Sequence, residues 1–407
     1  MAPCREILLD LYHAALRRVE GEFAVSRWLA GHPLDGDWHL VAFGKAAPAM
    51  TRGALKVLGA RLREGLVITR RGTLDPALCA DPRIRCLEAG HPLPDRGSLV
   101  AGDALLRFLE GAPEDARFLF LISGGGSALV EALPPGRTLE DLQRLNEWLL
   151  ASGLDIHAMN AIRKRLSLIK GGRLLAPLRG REAVALLISD VRGDDPAVIA
   201  SGPLVAVAQP LPADVEFPAW LGAWLEEAPP PVAEGRVELH VVARSADALE
   251  AAEARAHERG MAVSRHAEFV AGDAATAGER LAVTVVESPG RVHLWGGETT
   301  VVLPPGPGKG GRCQQLALAA ALRLAGRHGC CLLAAGSDGR DGPGRWAGAC
   351  VDGDTVARGV AAGMVPEEAL AHADAGTFLQ ASGDLIETGP TGTNVMDLMF
   401  GLCGGEA

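Results

Sequence analysis

Aromatic side chains are scarce in these 407 residues: nine Phe, seven Trp and one Tyr. There is no basic tract, and the net charge is −10. A nucleic-acid binder needs a stacking platform or a basic face, so that class is excluded. No uninterrupted apolar run reaches membrane length, and no membrane span is expected. The N-terminal stretch carries charges through its apolar periodicity and reads as a surface helix rather than a signal peptide. The eight cysteines (Cys4, Cys79, Cys86, Cys313, Cys330, Cys331, Cys350 and Cys403) form no C-x-x-C pair. That excludes a zinc knuckle and suits a reducing, cytoplasmic compartment. Cys330 and Cys331 sit in an apolar strand pattern and read as small buried hydrophobes. Lysine is rare beside arginine: Lys45, Lys56, Lys164, Lys170 and Lys309 are the full set. Four of these five lie in or beside Gly-rich or strongly polar segments, which points to specific use.

What is abundant is glycine, alanine and short apolar runs. Candidate strands at 39–43, 66–69, 117–123 and 183–189 alternate with helical patterns near 46–59, 97–110, 138–151 and 155–170. Such alternation predicts an α/β fold with mostly parallel, Rossmann-like sheets covered by helices on both faces. Residues 205–235 break the pattern with Pro, Ala and Glu, including Pro229-Pro230-Pro231, and read as a linker that is helical around Trp220 and Trp224. A second α/β set is expected from strands at 237–243, 291–295, 299–304 and 330–336, with helices near 245–259, 273–286 and 312–326. The length also favours two domains. We place them at 1–228 and 236–407, with an interdomain cleft of the kind where ligands sit. The last segment is free to pack back on the first domain.

Residues 121–130, LISGGGSALV, end a buried strand in Ser123, Gly124, Gly125, Gly126 and Ser127. One glycine suffices for a tight turn. Three, flanked by hydroxyls, predict a loop whose amides and hydroxyls face an anion. VAFGKAAPAM puts Lys45 between a strand and a helix N-terminus, where it opposes the helix dipole and makes sense facing an anion. In EAGHPLPDRGS, Asp95 reads as a helix cap; His91 reads equally as a ligand contact or a plain loop histidine.

The segment NAIRKRLSLIKGG predicts an amphipathic helix with Asn160, Lys164 and Ser167 on its polar face, ending in a C-cap at Lys170-Gly171-Gly172. In LLISDVRGDDPAVIASGP, Asp190 and Asp194 follow a strand, placed to hold Mg²⁺ or take a proton, and Asp195 reads as a cap. Gly306, Gly308 and Gly311 match G-x-G-x-x-G after a strand and before a helix, the pattern of a dinucleotide turn. Lys309 and Arg312 beside them suit a phosphate chain equally well. Asp338 and Asp341 lie on a Gly-rich loop able to hold a metal or nucleotide. TGPTGTNVMDLMFGL reads as a Gly/Thr loop feeding a helix, whose start binds phosphate.

These motifs, in this order from about residue 40 to the end, resemble the class II glycerate kinases, the glycerate 2-kinase family with a C-terminal MOFRL domain. The resemblance implies transfer of the γ-phosphoryl group of ATP to the 2-hydroxyl of D-glycerate, with Mg²⁺ as cofactor. It implies glycerate and ATP as small-molecule partners and allows a homodimer. On the family pattern, Lys45 and Arg312 are the catalytic pair; Asp190, from its own place after a strand, is the catalytic carboxylate expected with them. Ser123, Gly124, Gly125, Gly126, Ser127 and Lys164 would bind substrate. Gly308, Lys309, Gly311, Asp338, Gly339, Thr391, Gly392 and Asn394 would bind nucleotide, and Asp190 and Asp194 would bind metal. This chain reads GGRCQQ where the family usually reads GGRNQE, so Cys313 and Gln315 are departures. ARSADALEA, after residue 243, is another. Competing readings are an NAD(P)H-dependent hydroxypyruvate reductase, a kinase for another small hydroxy acid, and a non-enzymatic sugar-acid sensor.

Overall fold

A computed structural model describes residues 4–207, 210–212, 214–228 and 237–404. The predicted linker core, including Pro229-Pro230-Pro231, lies outside the described residues. By internal contacts the chain divides into two units: Gly21–Val242, and Met1–Glu20 together with Ala243–Ala407. Among the described residues no helix is long and apolar enough to cross a membrane.

The first unit is built on strands β1 (Trp38–Phe43), β2 (Leu62–Arg70), β3 (Ile84–Ala89), β4 (Phe118–Ile122), β5 (Ala183–Ile188) and β6 (Glu238–Ala243), in sheet order β3-β2-β1-β4-β5-β6. The pairs β1–β2, β2–β3, β1–β4 and β4–β5 are parallel. β4 and β5 are buried at every position. Strands covered on both faces read as continuous apolar runs, and these two do. Strand β6 was expected to open the second α/β set. It is instead the edge of the first sheet.

The order reverses between β1 and β4. In an open parallel sheet the crevice outside the strand C-termini at such a reversal is where ligands bind. The Gly44-Lys45 turn follows β1 and the Ser123–Ser127 loop follows β4, so the fold carries both motifs to that switch point.

The second unit's sheet runs β11-β10-β9-β12-β8-β7. Its strands are β7 (Ala262–Asp273), β8 (Arg291–Thr300), β9 (Cys330–Gly336), β10 (Gly348–Asp352), β11 (Leu385–Ile386) and β12 (Asp397–Cys403). Among the described residues of this sheet only β7–β8 pair in parallel; β8–β12, β12–β9, β9–β10 and β10–β11 are antiparallel. The parallel expectation therefore describes the first sheet and not this one. The expected strands at 291–295 and 299–304 are one strand, β8, which stops at Thr300. Beyond it Val302 and Leu303 are exposed.

The final segment forms the middle of the second sheet, and β12 replaces the expected helix. Helix Cys4–Val19 joins this unit because Leu8, Leu11, Tyr12, Ala15, Leu16 and Val19 form one apolar stripe, all buried. Tyr12 donates to the Gly336 carbonyl at 2.8 Å, and Arg5 pairs with Asp384 at 2.7 Å. Cys330 and Cys403 face each other on β9 and β12 with their sulfurs joined, an exception to the expectation of reduced thiols; the other six cysteines are free.

Candidate functional site

In the first unit the turn after β1 and the loop after β4 are sewn together by their backbones. The Ser123 N–H donates to the Phe43 carbonyl at 3.1 Å, and the Lys45 N–H donates to the Gly124 carbonyl at 2.9 Å. Ser123 Oγ accepts from the Ala46 N–H at 3.0 Å. Gly44 has φ 125°, and a Cβ there would stand 2.2 Å from Ser123 Oγ, so only glycine fits. Gly125 is left-handed at φ 82°; a Cβ on it would meet the His91 ring at 3.0 Å and Lys45 Cγ at 3.3 Å. The structure thus brings Lys45, the triple glycine and His91 into one cluster. His91 belongs to the loop after β3, joined to Pro92 by a cis peptide.

Ser127 does not face outward alone: its hydroxyl bonds that of Ser201 at 2.8 Å. Ser201 sits in a left-handed run with Ala200 and Gly202, and its carbonyl accepts from the Gly171 N–H at 3.0 Å. Lys164 is 8 % exposed, and its ammonium donates to the Ala197 carbonyl at 2.9 Å. Burial holds its pKa below the usual lysine value, with nearby Asp195 acting in the opposite sense. Asp195 accepts from the Ala197 N–H at 2.8 Å, closing a local turn and not capping a helix as expected; the short 3-10 segment Ile199–Ser201 that follows has Val198 at its cap. Asp190 comes one residue after β5, past Ser189, and the Asp194 N–H closes a turn onto the Val191 carbonyl at 3.3 Å. Among the described residues no group of three or more His, Cys, Asp or Glu is arranged to hold a metal.

Lys170 departs from expectation. The helix carrying Lys164 ends at Leu166, and Lys170 is no C-cap. Its ammonium forms a buried ion pair with Glu131, whose other oxygen accepts from Ser167 Oγ at 2.5 Å.

In the second unit three loops converge. Gly311 N-caps helix Arg312–Leu324. Asp341, expected at a solvent-facing metal or nucleotide loop, turns inward and caps that helix from outside the segment. Its oxygens accept from the Cys313 and Gln314 N–H groups at 3.0 and 2.8 Å, and from the Gln314 side-chain amide at 3.0 Å. A Cβ on Gly311 would stand 2.3 Å from Asp341, and one on Gly339 would stand 2.0 Å from the Gly389 carbonyl. Ser337 Oγ accepts from the Val395 N–H at 2.7 Å, and Thr391 Oγ1 donates to the Ser337 carbonyl at 2.5 Å. Asp338, Gly339, Thr391, Gly392 and Asn394 therefore share one loop pair. Within it Thr393 Oγ1 is buried without a hydrogen-bond partner. This loop feeds β12, so it offers no helix start to a phosphate.

Burial first, and then the charge of Asp397, push the Asp341 carboxyl up to about 7, against the three donors that pull it down. An ordinary Asp titrates near ~4. Between pH about 4 and 7 the folded state then binds more protons than the unfolded one, and this group's contribution falls as pH rises. The stability advantage of wild type over Asp341→Asn is expected to shrink from pH 4.5 to pH 7.5 in urea unfolding. An equal difference at both pH values contradicts this.

Sequence reasoning missed the partners of Arg312. Its Nε and Nη2 donate to the two oxygens of Asp397 at 2.6 and 3.0 Å, and Nη1 pairs with Glu298 at 2.6 Å. Burial acts to lower the Arg312 pKa, but the paired carboxylates outweigh it and the net direction is upward. The guanidinium is a clamped, oriented cation with two of its five N–H donors left over. Asp397 was hidden because its segment read as helical, whereas it opens β12. Of the two departures in GGRCQQ, Cys313 is buried with its thiol pushed up by burial and by Asp397. Gln315 donates to the Leu370 carbonyl at 2.9 Å.

Glycine-lined turns at the strand C-termini of an α/β sheet, with a lysine and paired hydroxyls, define a protein that handles small anions. Residues 7–226 match a domain of unknown function, DUF4147, and residues 291–397 match the MOFRL family. The chain is 37% identical to a D-glycerate 2-kinase of Thermotoga maritima over 89% of this chain and 90% of that one. It is 36% identical to a putative hydroxypyruvate reductase of Agrobacterium vitis over 98% of this chain and 94% of that one. A crystal structure of glycerate kinase from Thermotoga maritima superposes with a TM-score of 0.87 at 34% identity, covering 98% of this chain and 99% of that one. The chain belongs to the glycerate 2-kinase family, in which a DUF4147 domain is followed by a MOFRL domain.

Proposed function

We propose that the protein phosphorylates D-glycerate at its 2-hydroxyl, using ATP and releasing 2-phosphoglycerate and ADP. The observation that carries the reading is the placement of Lys45 against the Ser123–Ser127 loop at the switch point of the first sheet. The family and its named glycerate kinases supply the reaction class.

In this reading the Ser123–Ser127 loop donates to the glycerate carboxylate or the arriving phosphoryl, and Lys164 adds positive charge for the substrate. The 2-hydroxyl oxygen bonds to the γ-phosphorus, and the bond from that phosphorus to its bridging oxygen breaks. The hydroxyl proton passes to Asp190. Lys45 neutralises charge on the phosphoryl as it moves; in the second unit the two remaining Arg312 donors are available to phosphate oxygens of the nucleotide. Phosphoryl transfer is mostly such positioning and neutralisation. The loops carrying Gly308, Lys309, Gly311, Asp338, Gly339, Thr391, Gly392 and Asn394 hold the nucleotide, and the buried Thr393 hydroxyl supplies an unused polar atom there.

Mg²⁺ typically uses one or two carboxylates and completes its shell with phosphate oxygens and water. Asp190 and Asp194, both half-buried on one turn after β5, fit that donor set. When bound, the ion shields the phosphate oxygens.

The reductase reading rests on the glycines at 306–311. There the Gly308 N–H already bonds the His372 carbonyl at 2.9 Å, and the Lys309 N–H bonds Asp374 at 2.6 Å. Ten residues also separate the end of β8 at Thr300 from the Gly311 cap. A tight turn presenting free amides to a pyrophosphate is not what this segment forms. Side-by-side assays decide: ADP release with ATP, Mg²⁺ and D-glycerate is expected, without NAD(P)H oxidation by hydroxypyruvate. The reverse pattern overturns the kinase reading.

A further inference from the structure

A pocket of about 330 Å³ lies wholly within the second unit, lined among others by Lys309, Gly310, Gln314, Trp346, Gly376 and Gln380. Its volume is at the lower end for small-molecule sites. Gly376 and Gln380 belong to no motif already assigned, and Gln314 of GGRCQQ and Trp346 carry no ligand role above.

Its walls are flat for a reason. A Cβ on Gly376 would meet Gln314 Oε1 at 2.6 Å and the Lys309 carbonyl at 2.8 Å, and a Cβ on Gly310 would meet the Gly376 nitrogen at 3.0 Å. The Lys309–Gly376 contact is fixed by a 2.8 Å hydrogen bond from the Gly376 N–H to the Lys309 carbonyl. Trp346 supplies a half-buried indole, steadied by the Arg345 guanidinium 4.6 Å from its ring centre.

The polar group is set as firmly. Gln314 is 1 % exposed, and both hydrogen bonds of its side-chain nitrogen go to Asp341, at 3.1 Å to the carbonyl and 3.0 Å to the carboxylate. Its amide cannot flip without losing both, so Oε1 is a fixed acceptor beside Gly376. At the rim the exposed Lys309 ammonium and Gln380 amide have no hydrogen-bond or ion-pair partner among the described residues.

We propose that this pocket takes the purine base of the nucleotide. Trp346 is the stacking wall, and Gln314 Oε1 selects a 6-amino over a 6-oxo purine. A flat slot with an indole wall suits a planar ring. A fixed acceptor pairs with the amino group of adenine and opposes the carbonyl of guanine, leaving two acceptors facing one another. Lys309 at the rim meets the phosphates. The proposal rests on the reading of the protein as an ATP-using kinase, and its test separates the two.

Calorimetric titration of the full-length protein with ADP, GDP and tripolyphosphate tests it. ADP is expected to bind at least about tenfold more tightly than GDP. Trp346→Ala should weaken ADP roughly five- to tenfold, with Trp346→Phe restoring most of the affinity. Tripolyphosphate binding should not respond to either change. ADP no tighter than GDP or tripolyphosphate in wild type overturns the assignment, even if Trp346→Ala fails to fold. Unchanged ADP affinity in folded Trp346→Ala also overturns it. The expected binding pattern without glycerate phosphorylation leaves the base site standing and removes the kinase reading. Phosphorylation without the pattern does the opposite.

Discussion

Lys45→Ala is expected to lower kcat about 10²–10³-fold, the scale of losing one group that stabilises developing charge. Folding should hardly change. The local structure depends on the Lys45 backbone, whose N–H bonds the Gly124 carbonyl at 2.9 Å, and alanine keeps that bond. The left-handed requirement falls on Gly44, which is untouched. A half-buried position outside the apolar core should move stability by less than about 1 kcal/mol. Steady-state kinetics with unfolding curves on the same preparation check both halves. A folded Lys45→Ala protein with wild-type kcat removes Lys45 from the mechanism. An unfolded one shows that the side chain is structural.

Glu131→Ala is expected to have the largest effect on stability, about 3–5 kcal/mol. The Glu131–Lys170 pair is sealed, with side chains 5 % and 3 % exposed. Removing the carboxylate leaves a buried ammonium without its counter-charge and strips Ser167 Oγ of its acceptor. The neighbourhood is already rich in cations: burial lowers the pKa of Arg163, Lys164 and Arg173 nearby in sequence. Urea unfolding measures the loss, and the double change Glu131→Ala with Lys170→Met should recover part of it. A loss below about 1 kcal/mol would mean that Lys170 reaches water once its partner is gone.

The local chemistry of this fold was legible, and its long-range pairing much less so. The strand–glycine–helix signature around Gly44-Lys45 and Ser123–Ser127 survives into the structure because those turns are set by adjacent residues. Strand β12 was misread for a physical reason. Val395, Met396, Leu398, Met399, Phe400 and Leu402 form a nearly continuous apolar run, all buried, the last four in a strand in the middle of a sheet. Such a run has no two-residue alternation and matches helical spacing equally well. With β12 went Asp397, and so the clamp on Arg312. Strand β7 was missed because Arg265-His266-Ala267-Glu268 interrupts its pattern. Lys170 was read as a C-cap because Gly171-Gly172 follow it. Ser167 had already ended the helix: its hydroxyl accepts from the Ile169 and Lys170 N–H groups at 3.1 and 3.2 Å. A serine offering the backbone that alternative competes with helix continuation. The capping of a distant helix by Asp341 was also out of reach, since nothing within residues 334–355 marks which helix it meets.

The most direct test of the central claim is the position of the new phosphate. Purified protein with ATP, Mg²⁺ and D-glycerate, followed by phosphorus NMR and coupled detection of each isomer, is expected to give ADP and 2-phosphoglycerate in equal amounts. Formation of 3-phosphoglycerate, or no phosphorylated product from protein shown to be folded, contradicts the account.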